Sequence, residues 1–389
     1  MSSVLGTYAR KDISFTKGKG SYLFSDNGDK YLDFVQGIAS NILGHCHEHL
    51  VETIQKQSKK LWHVSNAFVI PDQEKLAKRL TDKTFADFVC FQNSGTEATE
   101  VSIKIARKYF HKIGKPEKNR IITFKGAFHG RTLAALFAAN NPKHVEGFGP
   151  KVDGFDQVPF ADHEAIKKAI SKNTAAIMVE TIMGEGGIKV IPDFCLKGLR
   201  DLCDEHDILL ILDEVQSAYR TGSFFAFDKS GIAPDIVPIA KGIGGGFPLG
   251  ACLLTKKVSV GMTPGTHGST FGGNPLAMAV GNAVLDIILE KSFLKKVEQK
   301  GEYLHKSLNK IKKKYPKIIQ EIRGVGLIRG LKMVVDNTEF MKKLMDHKML
   351  TVKAEENVIR LFPPLIVSNA ELDEAVDKIE TVCKEMSQL

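Results

Sequence analysis

The stretch Asp87-Phe-Val-Cys-Phe-Gln-Asn-Ser-Gly-Thr-Glu-Ala98 is a short apolar strand pattern that leads directly into the start of a helix. We predict a strand over 87–91 and a helix over 96–111, and the same alternation continues along the chain. Further strands are predicted at 120–124, 175–179 and 208–212, and further helices at 47–61, 72–81 and 193–206. Short apolar strands separated by helices indicate a largely parallel sheet covered on both faces. The sequence therefore predicts an α/β fold.

The pattern changes on either side of this α/β region. Before it, residues 21–35 alternate around the turn Asp26-Asn-Gly28 and predict a β-hairpin. After it, a helix at 292–315, strands near 327–335 and 357–362, and a last helix at 369–386 are predicted. We therefore expect a large domain over 47–290 and a small α+β domain over 291–389. Residues 1–46 are expected to be an N-terminal segment that belongs to the small domain.

The bulk composition is that of an ordinary soluble globular protein, with 389 residues, 43% hydrophobic and 25% charged. The net charge is +9, but the lysines are scattered, and the dense run at 306–315 has the pattern of a solvated helix face. Because no aromatic-interleaved basic motif accompanies the charge, a nucleic-acid partner is not expected. The longest apolar run, Leu133–Ala139, is far too short to span a membrane. The six cysteines lack C-x-x-C spacing, so we expect reduced thiols and a cytoplasmic location.

One candidate site lies where the first strand meets its helix. Ser94 and Glu97 have the spacing of a capping box, and Gly95 permits close approach to the backbone. The free N–H groups at the start of such a helix attract a phosphate group. A well-capped helix without a ligand explains the pattern equally well.

Two further candidates follow apolar strands. Asp213 ends the run at 208–212, so its carboxylate needs a cationic partner such as a protonated pyridine nitrogen. A metal ligand or a helix cap are the alternatives for Asp213. Lys241 follows an apolar segment and precedes a glycine loop, where a buried lysine of lowered pKa forms a Schiff base or is merely structural. The glycines do not indicate a dinucleotide loop, because Pro248 follows and no amphipathic helix begins there.

Three other segments carry polar groups. Phe128-His-Gly-Arg131 offers an aromatic ring for stacking and a guanidinium for a carboxylate. The segment 268–275 offers hydroxyl groups and backbone donors for phosphate. The run His45-Cys-His-Glu-His49 looks like a metal cluster, but adjacent ligands do not converge easily on one ion. No metal is expected.

Taken in order, these motifs resemble those of the class III pyridoxal-phosphate (PLP) aminotransferases, and the resemblance spans nearly the whole chain. The motifs are Asn93-Ser-Gly-Thr-Glu-Ala98, Phe128-His-Gly-Arg131, Glu185-Gly-Gly187, Asp213-Glu-Val-Gln216, Lys241-Gly242 and Ser269-Thr-Phe-Gly-Gly-Asn-Pro275. The opening fits as well, with Gly18-Lys-Gly20, Tyr31-Leu-Asp-Phe34, Gly37-Ile-Ala39, Leu43-Gly-His45 and His63-Val-Ser-Asn66. The resemblance implies PLP fold type I and a homodimer with active sites at the subunit interface. It also implies that His45 is structural.

The resemblance assigns the cofactor site. Lys241 would hold PLP as a Schiff base and act as general base, Asp213 would pair with the pyridine nitrogen, and Gln216 would lie beside the ring hydroxyl. The remaining cofactor contacts would come from Ser94, Gly95, Thr96, Phe128 stacked on the ring, and Thr270 of the neighbouring subunit.

The resemblance also assigns the substrate site. Arg131 and Ser269 would contact the substrate, Arg131 through a carboxylate. Glu185 and Arg360 match a pair with which similar enzymes switch between an amine donor and glutamate. Glu185 would mask Arg360 until the α-carboxylate of glutamate displaces it.

Within the family, the chain resembles the branch that moves the terminal amino group of N2-acetyl-L-ornithine to 2-oxoglutarate in arginine biosynthesis. Ornithine, succinylornithine, 4-aminobutyrate and N-succinyl-diaminopimelate remain alternative donors. One departure affects this choice: after Gln216 the loop at 217–220 is one residue shorter than relatives usually have. A non-catalytic PLP-binding regulator is disfavoured, because such proteins usually lose the lysine or the substrate arginine. A nicotinamide oxidoreductase lacks its glycine fingerprint.

Overall fold

A computed structural model describes residues 3–388 and contains four β-sheets surrounded by helices. The strands are β1 (Phe15–Lys19), β2 (Tyr22–Ser25), β3 (Lys30–Asp33), β4 (Phe88–Gln92), β5 (Arg120–Phe124), β6 (Phe155–Val158), β7 (Thr174–Glu180), β8 (Ile182–Met183), β9 (Lys189–Val190), β10 (Leu209–Asp213), β11 (Ile236–Ile239), β12 (Gly250–Leu254), β13 (Ile319–Val325), β14 (Ile328–Met333), β15 (Met349–Leu350), β16 (Val352–Ala354) and β17 (Val358–Leu361).

The helices begin near the N-terminal hairpin and end at the last described residues. They are α1 (Gln36–Ala39), α2 (Glu48–Ser58), α3 (Pro71–Thr81), α4 (Gly95–Lys112), α5 (Leu133–Ala139), α6 (Pro142–Val145), α7 (His163–Ala169), α8 (Asp193–Glu205), α9 (Lys256–Ser259), α10 (Pro275–Ile288), α11 (Phe293–Lys314), α12 (Asn337–Asp346) and α13 (Asn369–Met386). Short 3-10 helices lie at Asp228–Ser230 and Lys241–Gly244.

The largest sheet has seven strands in the order β4-β12-β11-β10-β7-β5-β6. Its pairs β11–β10, β10–β7, β7–β5 and β5–β6 are parallel, whereas β12 is antiparallel to both of its neighbours. Because β4 is antiparallel to β12, it points the same way as the parallel strands. The prediction of a largely parallel α/β sheet is confirmed, with β12 as the reversed strand.

Central strands of this sheet are buried on both faces. Along β10, Leu210 and Leu212 belong to one core cluster, while Leu209 and Ile211 belong to another. Successive side chains of a strand point to opposite faces, so a continuous apolar run is what a doubly covered strand requires. Helix α4 packs on one face and α8 on the other.

Smaller sheets flank this core. β1, β2 and β3 form the predicted hairpin region, and β3 pairs in parallel with β15, far along the chain. β13, β14, β17 and β16 form an antiparallel sheet. His45 lies near the hairpin and forms a hydrogen bond with Asp33, with His45 Nε2 2.7 Å from Asp33 Oδ2. The domain boundaries at 46/47 and 290/291 stay predictions.

Among residues 3–388, no helix is both long and apolar enough to cross a bilayer.

Candidate active site

Polar side chains meet at one edge of the seven-stranded sheet. Glu180 and Asp213 are the last residues of the parallel neighbours β7 and β10, and they lie opposite each other in the strand register. Lys241 follows β11, and the start of α4 follows β4. Since all four strands point the same way, their carboxyl ends share an edge, which is where ligands bind in open α/β sheets.

Asp213 has a buried histidine partner within the chain. Nδ1 of His129 lies 2.8 Å from Oδ2 of Asp213, and the backbone N–H of Val215 donates to Oδ1 at 3.0 Å. Both side chains of the pair are almost completely shielded from solvent. Burial lowers the pKa of His129, but the hydrogen bond and charge of Asp213 outweigh it, so the pKa is raised. The raised pKa favours the charged form of His129, which the carboxylate of Asp213 stabilises through this hydrogen bond.

Glu180 is a second buried carboxyl group at this edge. Its Oε1 accepts the backbone N–H of Phe128 at 2.8 Å, and its Oε2 accepts that of Gly184 at 3.3 Å. Burial is the main reason why its pKa is raised to about 7, with Asp213 adding to the effect and His129 opposing it.

Lys241 is a strained and mostly buried residue. Its φ of 47° lies in the left-handed region, which a lysine adopts only where the surrounding structure holds it. Burial lowers the pKa of its amine to about 8, although Glu180 and Asp213 counteract the loss. At pH 7 about a tenth of such an amine is neutral, far more than for an ordinary lysine, and the neutral form is the one that a nucleophile or general base requires.

The start of α4 provides free backbone donors. Ser94 caps the helix by accepting the N–H of Glu97 at 3.3 Å, and its hydroxyl donates to Glu97 Oε2 at 2.9 Å. The predicted pairing of Ser94 with Glu97 is thus present. The N–H groups of Gly95 and Thr96 lie in the first turn, where a helix supplies no acceptors of its own. A Cβ at Gly95 would come within 2.6 Å of Val215, so only glycine fits there.

The loop that carries Phe128 and Arg131 is fastened to α4. The hydroxyl of Thr96 accepts the backbone N–H groups of Arg131 and Thr132 at 3.0 and 3.2 Å. Arg131 is exposed, and its guanidinium lies 5.2 Å from the centre of the Phe128 ring. The side chain of Thr96 is therefore used to hold this loop, which leaves its backbone N–H for a ligand.

Gln216 carries an unsatisfied acceptor. Its Oε1 is buried and has no hydrogen-bond partner among the described residues. Its amide lies against Gly184, where a Cβ would be only 1.8 Å from Oε1. A buried acceptor of this kind calls for an external donor.

The two residues predicted to form a switch are paired. Nη2 of Arg360 lies 2.9 Å from Oε2 of Glu185 and donates to the carbonyl of Lys353 at 2.8 Å. Arg360 is buried at 3% exposure, whereas 36% of the Glu185 side chain is exposed. Burial lowers the pKa of Arg360. The charge of Glu185 and its hydrogen bond to Arg360 counteract part of this lowering. The pair joins a buried cation to an anion that solvent can reach.

Ser269 and Thr270 lie in the segment just before α10, close to Asn93, which directly follows β4. Ser269 Oγ accepts from Asn93 Nδ2 at 3.2 Å and from the N–H of Gly272 at 3.0 Å, while Thr270 is exposed. Large apolar side chains are exposed in the same region. They are Leu61, Trp62, Phe68, Val69 and Phe271.

The loop at 217–220 contains two large buried side chains. Tyr219 is fully buried and has a backbone φ of 69°. Its ring packs edge-on against that of Phe224, with the two ring centres 4.8 Å apart. Arg220 is also fully buried and donates to the carbonyls of Leu327, Pro363 and Ala39. Burial lowers the pKa of Arg220 to about 9. This loop therefore ties the large sheet to the C-terminal part of the chain.

Sequence reasoning missed two members of the cluster, His129 and Glu180. His129 lies in the motif 128–131, in which only the ring of Phe128 and the guanidinium of Arg131 were considered as functional groups. Glu180 directly follows the apolar run 175–179, which is the same signal that identified Asp213.

Comparisons with known proteins agree with this arrangement. Residues 7–383 match the family described as aminotransferase class-III. The acetylornithine aminotransferase of Agrobacterium fabrum is 54% identical over 98% of this chain and 96% of its own length. That of Brucella melitensis is 52% identical over 98% of this chain and 95% of its own.

Solved structures are similar as well. The ornithine aminotransferase of Toxoplasma gondii superposes with a TM-score of 0.95 at 31% identity, covering 99% of this chain and 93% of that one. The N-acetylornithine aminotransferase of Stenotrophomonas maltophilia has a TM-score of 0.86 at 32% identity, covering 98% of each chain. With the whole chain matched in sequence and in fold, the protein belongs to the class-III aminotransferases, a family of PLP-dependent enzymes.

Proposed function

We propose that this enzyme transfers the terminal amino group of N2-acetyl-L-ornithine to 2-oxoglutarate, with PLP held by Lys241. The products are N-acetyl-L-glutamate 5-semialdehyde and L-glutamate, a step of arginine biosynthesis. Support for the donor comes from relatives that are named acetylornithine aminotransferase at 52–54% identity. The observation that carries the chemistry is the amine of Lys241. Its pKa is lowered by burial, and it interacts electrostatically with two buried carboxyl groups, Glu180 and Asp213.

The chain's residues fit the chemical groups of PLP. Asp213, a buried carboxyl group held in place by His129, suits a protonated pyridine nitrogen. The free N–H groups of Gly95 and Thr96 suit a phosphate, and the unsatisfied Oε1 of Gln216 suits a hydroxyl donor. When bound, PLP supplies an electron sink at the carbon that carries the substrate amino group.

Lys241 would move the proton in this reaction. Because burial lowers its pKa to about 8, its amine accepts a proton from the substrate carbon and releases it again near neutral pH. Asp213 and His129 stay fixed by their hydrogen bond during this transfer.

Two arginines would orient the substrates. Arg131, exposed beside Phe128, would bind the carboxylate of N-acetylornithine and the side-chain carboxylate of glutamate. Glu185 neutralises Arg360 while the acetylated donor is bound. In the second half of the reaction, the α-carboxylate of 2-oxoglutarate, which becomes that of glutamate, would displace Glu185 and pair with Arg360. One site would thereby accept two substrates of different charge.

A homodimer would complete the site. The exposed residues Leu61, Trp62, Phe68, Val69 and Phe271 form an apolar surface of the kind that subunits cover. Thr270 is exposed beside Phe271 and would reach the phosphate bound to the neighbouring subunit. No nucleic acid or membrane takes part in this proposal.

The donor is tested in a single half-reaction without any keto acid. The PLP-loaded protein is mixed with N-acetylornithine, ornithine or 4-aminobutyrate, and its visible absorbance is followed. We expect N-acetylornithine to remove the visible band fastest and 2-oxoglutarate to restore it. Faster reaction with ornithine would favour the alternative suggested by the structural similarity to ornithine aminotransferases. Retention of the band with N-acetylornithine would overturn the proposed donor.

A further inference from the structure

Glu180 joins the two loops on which the substrate and the cofactor ring are expected to lie. One carboxyl oxygen accepts the N–H of Phe128, and the other accepts the N–H of Gly184, the residue before Glu185. Glu180 is 6% exposed, so these bonds are shielded from water. A single side chain thus fixes the loop of the stacking ring relative to the loop of the switch.

Glu180 also lies among the charges of the site. It ends β7 directly opposite Asp213 in the parallel pair with β10. Four charged groups from different parts of the chain interact electrostatically with Glu180. They are His129 in the loop after β5, Asp213 at the end of β10, Lys241 after β11 and Arg360 on β17. Among the carboxyl groups, Glu180 raises the pKa of Lys241 more than Asp213 does.

We propose that Glu180 is a positioning residue of the active site: it aligns the Phe128 loop with the Glu185 loop and supplies the negative charge that favours protonation of Lys241. The alignment part of this proposal rests on the proposed function, whereas the charge at Lys241 can be measured without any substrate or cofactor.

Glu214 provides a matched control. It is another fully buried glutamate, one residue beyond β10, and burial raises its pKa to about 8. Its carboxyl group accepts from Ser217 Oγ at 2.6 Å and from the N–H groups of Ala226 and Phe227 at 2.9 and 3.3 Å. None of these partners belongs to the Phe128 loop or the Glu185 loop, and Glu214 is not among the charges that shift the pKa of Lys241. Glu214→Gln therefore changes a buried carboxyl group without changing the charge near Lys241.

The first measurement is the titration of Lys241 in the cofactor-free protein. The rate at which its amine is acetylated by a trace of acetic anhydride is followed by mass spectrometry from pH 6 to 10. Glu180→Gln removes the negative charge, so we expect the midpoint to fall by about one pH unit, which is roughly tenfold in proton affinity. Glu180→Asp keeps the charge and should keep the midpoint, as should Glu214→Gln.

The second measurement is the rate of both half-reactions in the PLP-loaded protein. Glu180→Asp shortens the side chain, so the loops lose alignment and both rates should fall at least tenfold, while Glu214→Gln retains them. An unchanged midpoint in Glu180→Gln would overturn the charge effect. Equal half-reaction rates in Glu180→Asp and Glu214→Gln would overturn the alignment. A failure of N-acetylornithine in every variant would instead refute the proposed donor and leave the Lys241 titration valid.

Discussion

Substitution of Glu185 by glutamine is expected to shift the enzyme toward glutamate. Glu185→Gln keeps the shape of the side chain but removes the charge that neutralises Arg360. Glutamate must break this ion pair before its α-carboxylate can bind Arg360, whereas N-acetylornithine leaves the pair intact. Glu185→Gln should therefore lower the free-energy cost of binding glutamate and leave that of binding N-acetylornithine unchanged.

The size of the effect follows from burial. Loss of one partner from a fully buried ion pair costs about 3–5 kcal/mol, and an exposed pair is worth about 0.2–1 kcal/mol. Because Arg360 is 3% exposed and the Glu185 side chain is 36% exposed, the pair lies between these limits. We therefore expect the loss of the Glu185 charge to lower the free-energy cost of glutamate binding by about 2 kcal/mol, which corresponds to a roughly 30-fold change in an equilibrium constant.

The assay compares single-turnover half-reactions with L-glutamate and with N-acetylornithine. In Glu185→Gln, the ratio of kcat/KM for glutamate to that for N-acetylornithine should rise by up to about 30-fold. Asp235→Asn is the control. Asp235 is buried and pairs with half-buried Arg200 at 2.9 Å, and it lies just before β11, at the opposite edge of the sheet. If the ratio in Glu185→Gln changes no more than in Asp235→Asn, Glu185 has only a structural function and the switch is refuted.

Three other experiments test separate parts of the site. Lys241→Met should stabilise the cofactor-free protein at pH 7 by about 3 kcal/mol, because the lowered pKa of Lys241 makes its charged form unfavourable in the fold. This difference should fade between pH 8 and pH 10.5, as thermal unfolding would show. His129→Asn should destabilise the cofactor-free protein most at low pH, since the raised pKa of His129 gives a stabilising charge that is lost as the pH rises through it. Finally, mixed dimers of Thr270→Val with Lys241→Ala should regain activity if Thr270 acts across the interface, and they should stay as inactive as their parents if it acts within its own subunit.

Predictions from sequence were most successful where one local pattern determines one structure. The apolar run at 208–212 is a central strand because both faces of β10 are buried, and the Ser94–Glu97 spacing is a helix cap because both partners lie within one turn. The shared edge at Asp213 and Lys241 follows from strand direction in a parallel sheet.

Features that depend on distant parts of the chain could not be predicted from local patterns. The reversal of β12 changes no local pattern, since its side chains are as buried as those of its parallel neighbours. β13 was missed because exposed Glu321 and half-buried Arg323 interrupt its apolar residues. The bond between His129 and Asp213 joins residues 84 positions apart, so no spacing rule could indicate it.

The covalent attachment of PLP is the central claim, and trapping it with sodium borohydride tests it most directly. The protein is loaded with PLP, reduced, digested and mapped by mass spectrometry, with the unreduced protein as control. The account predicts one phosphopyridoxyl group for each chain, located on Lys241. Modification of another lysine, with Lys241 recovered unmodified, would contradict it.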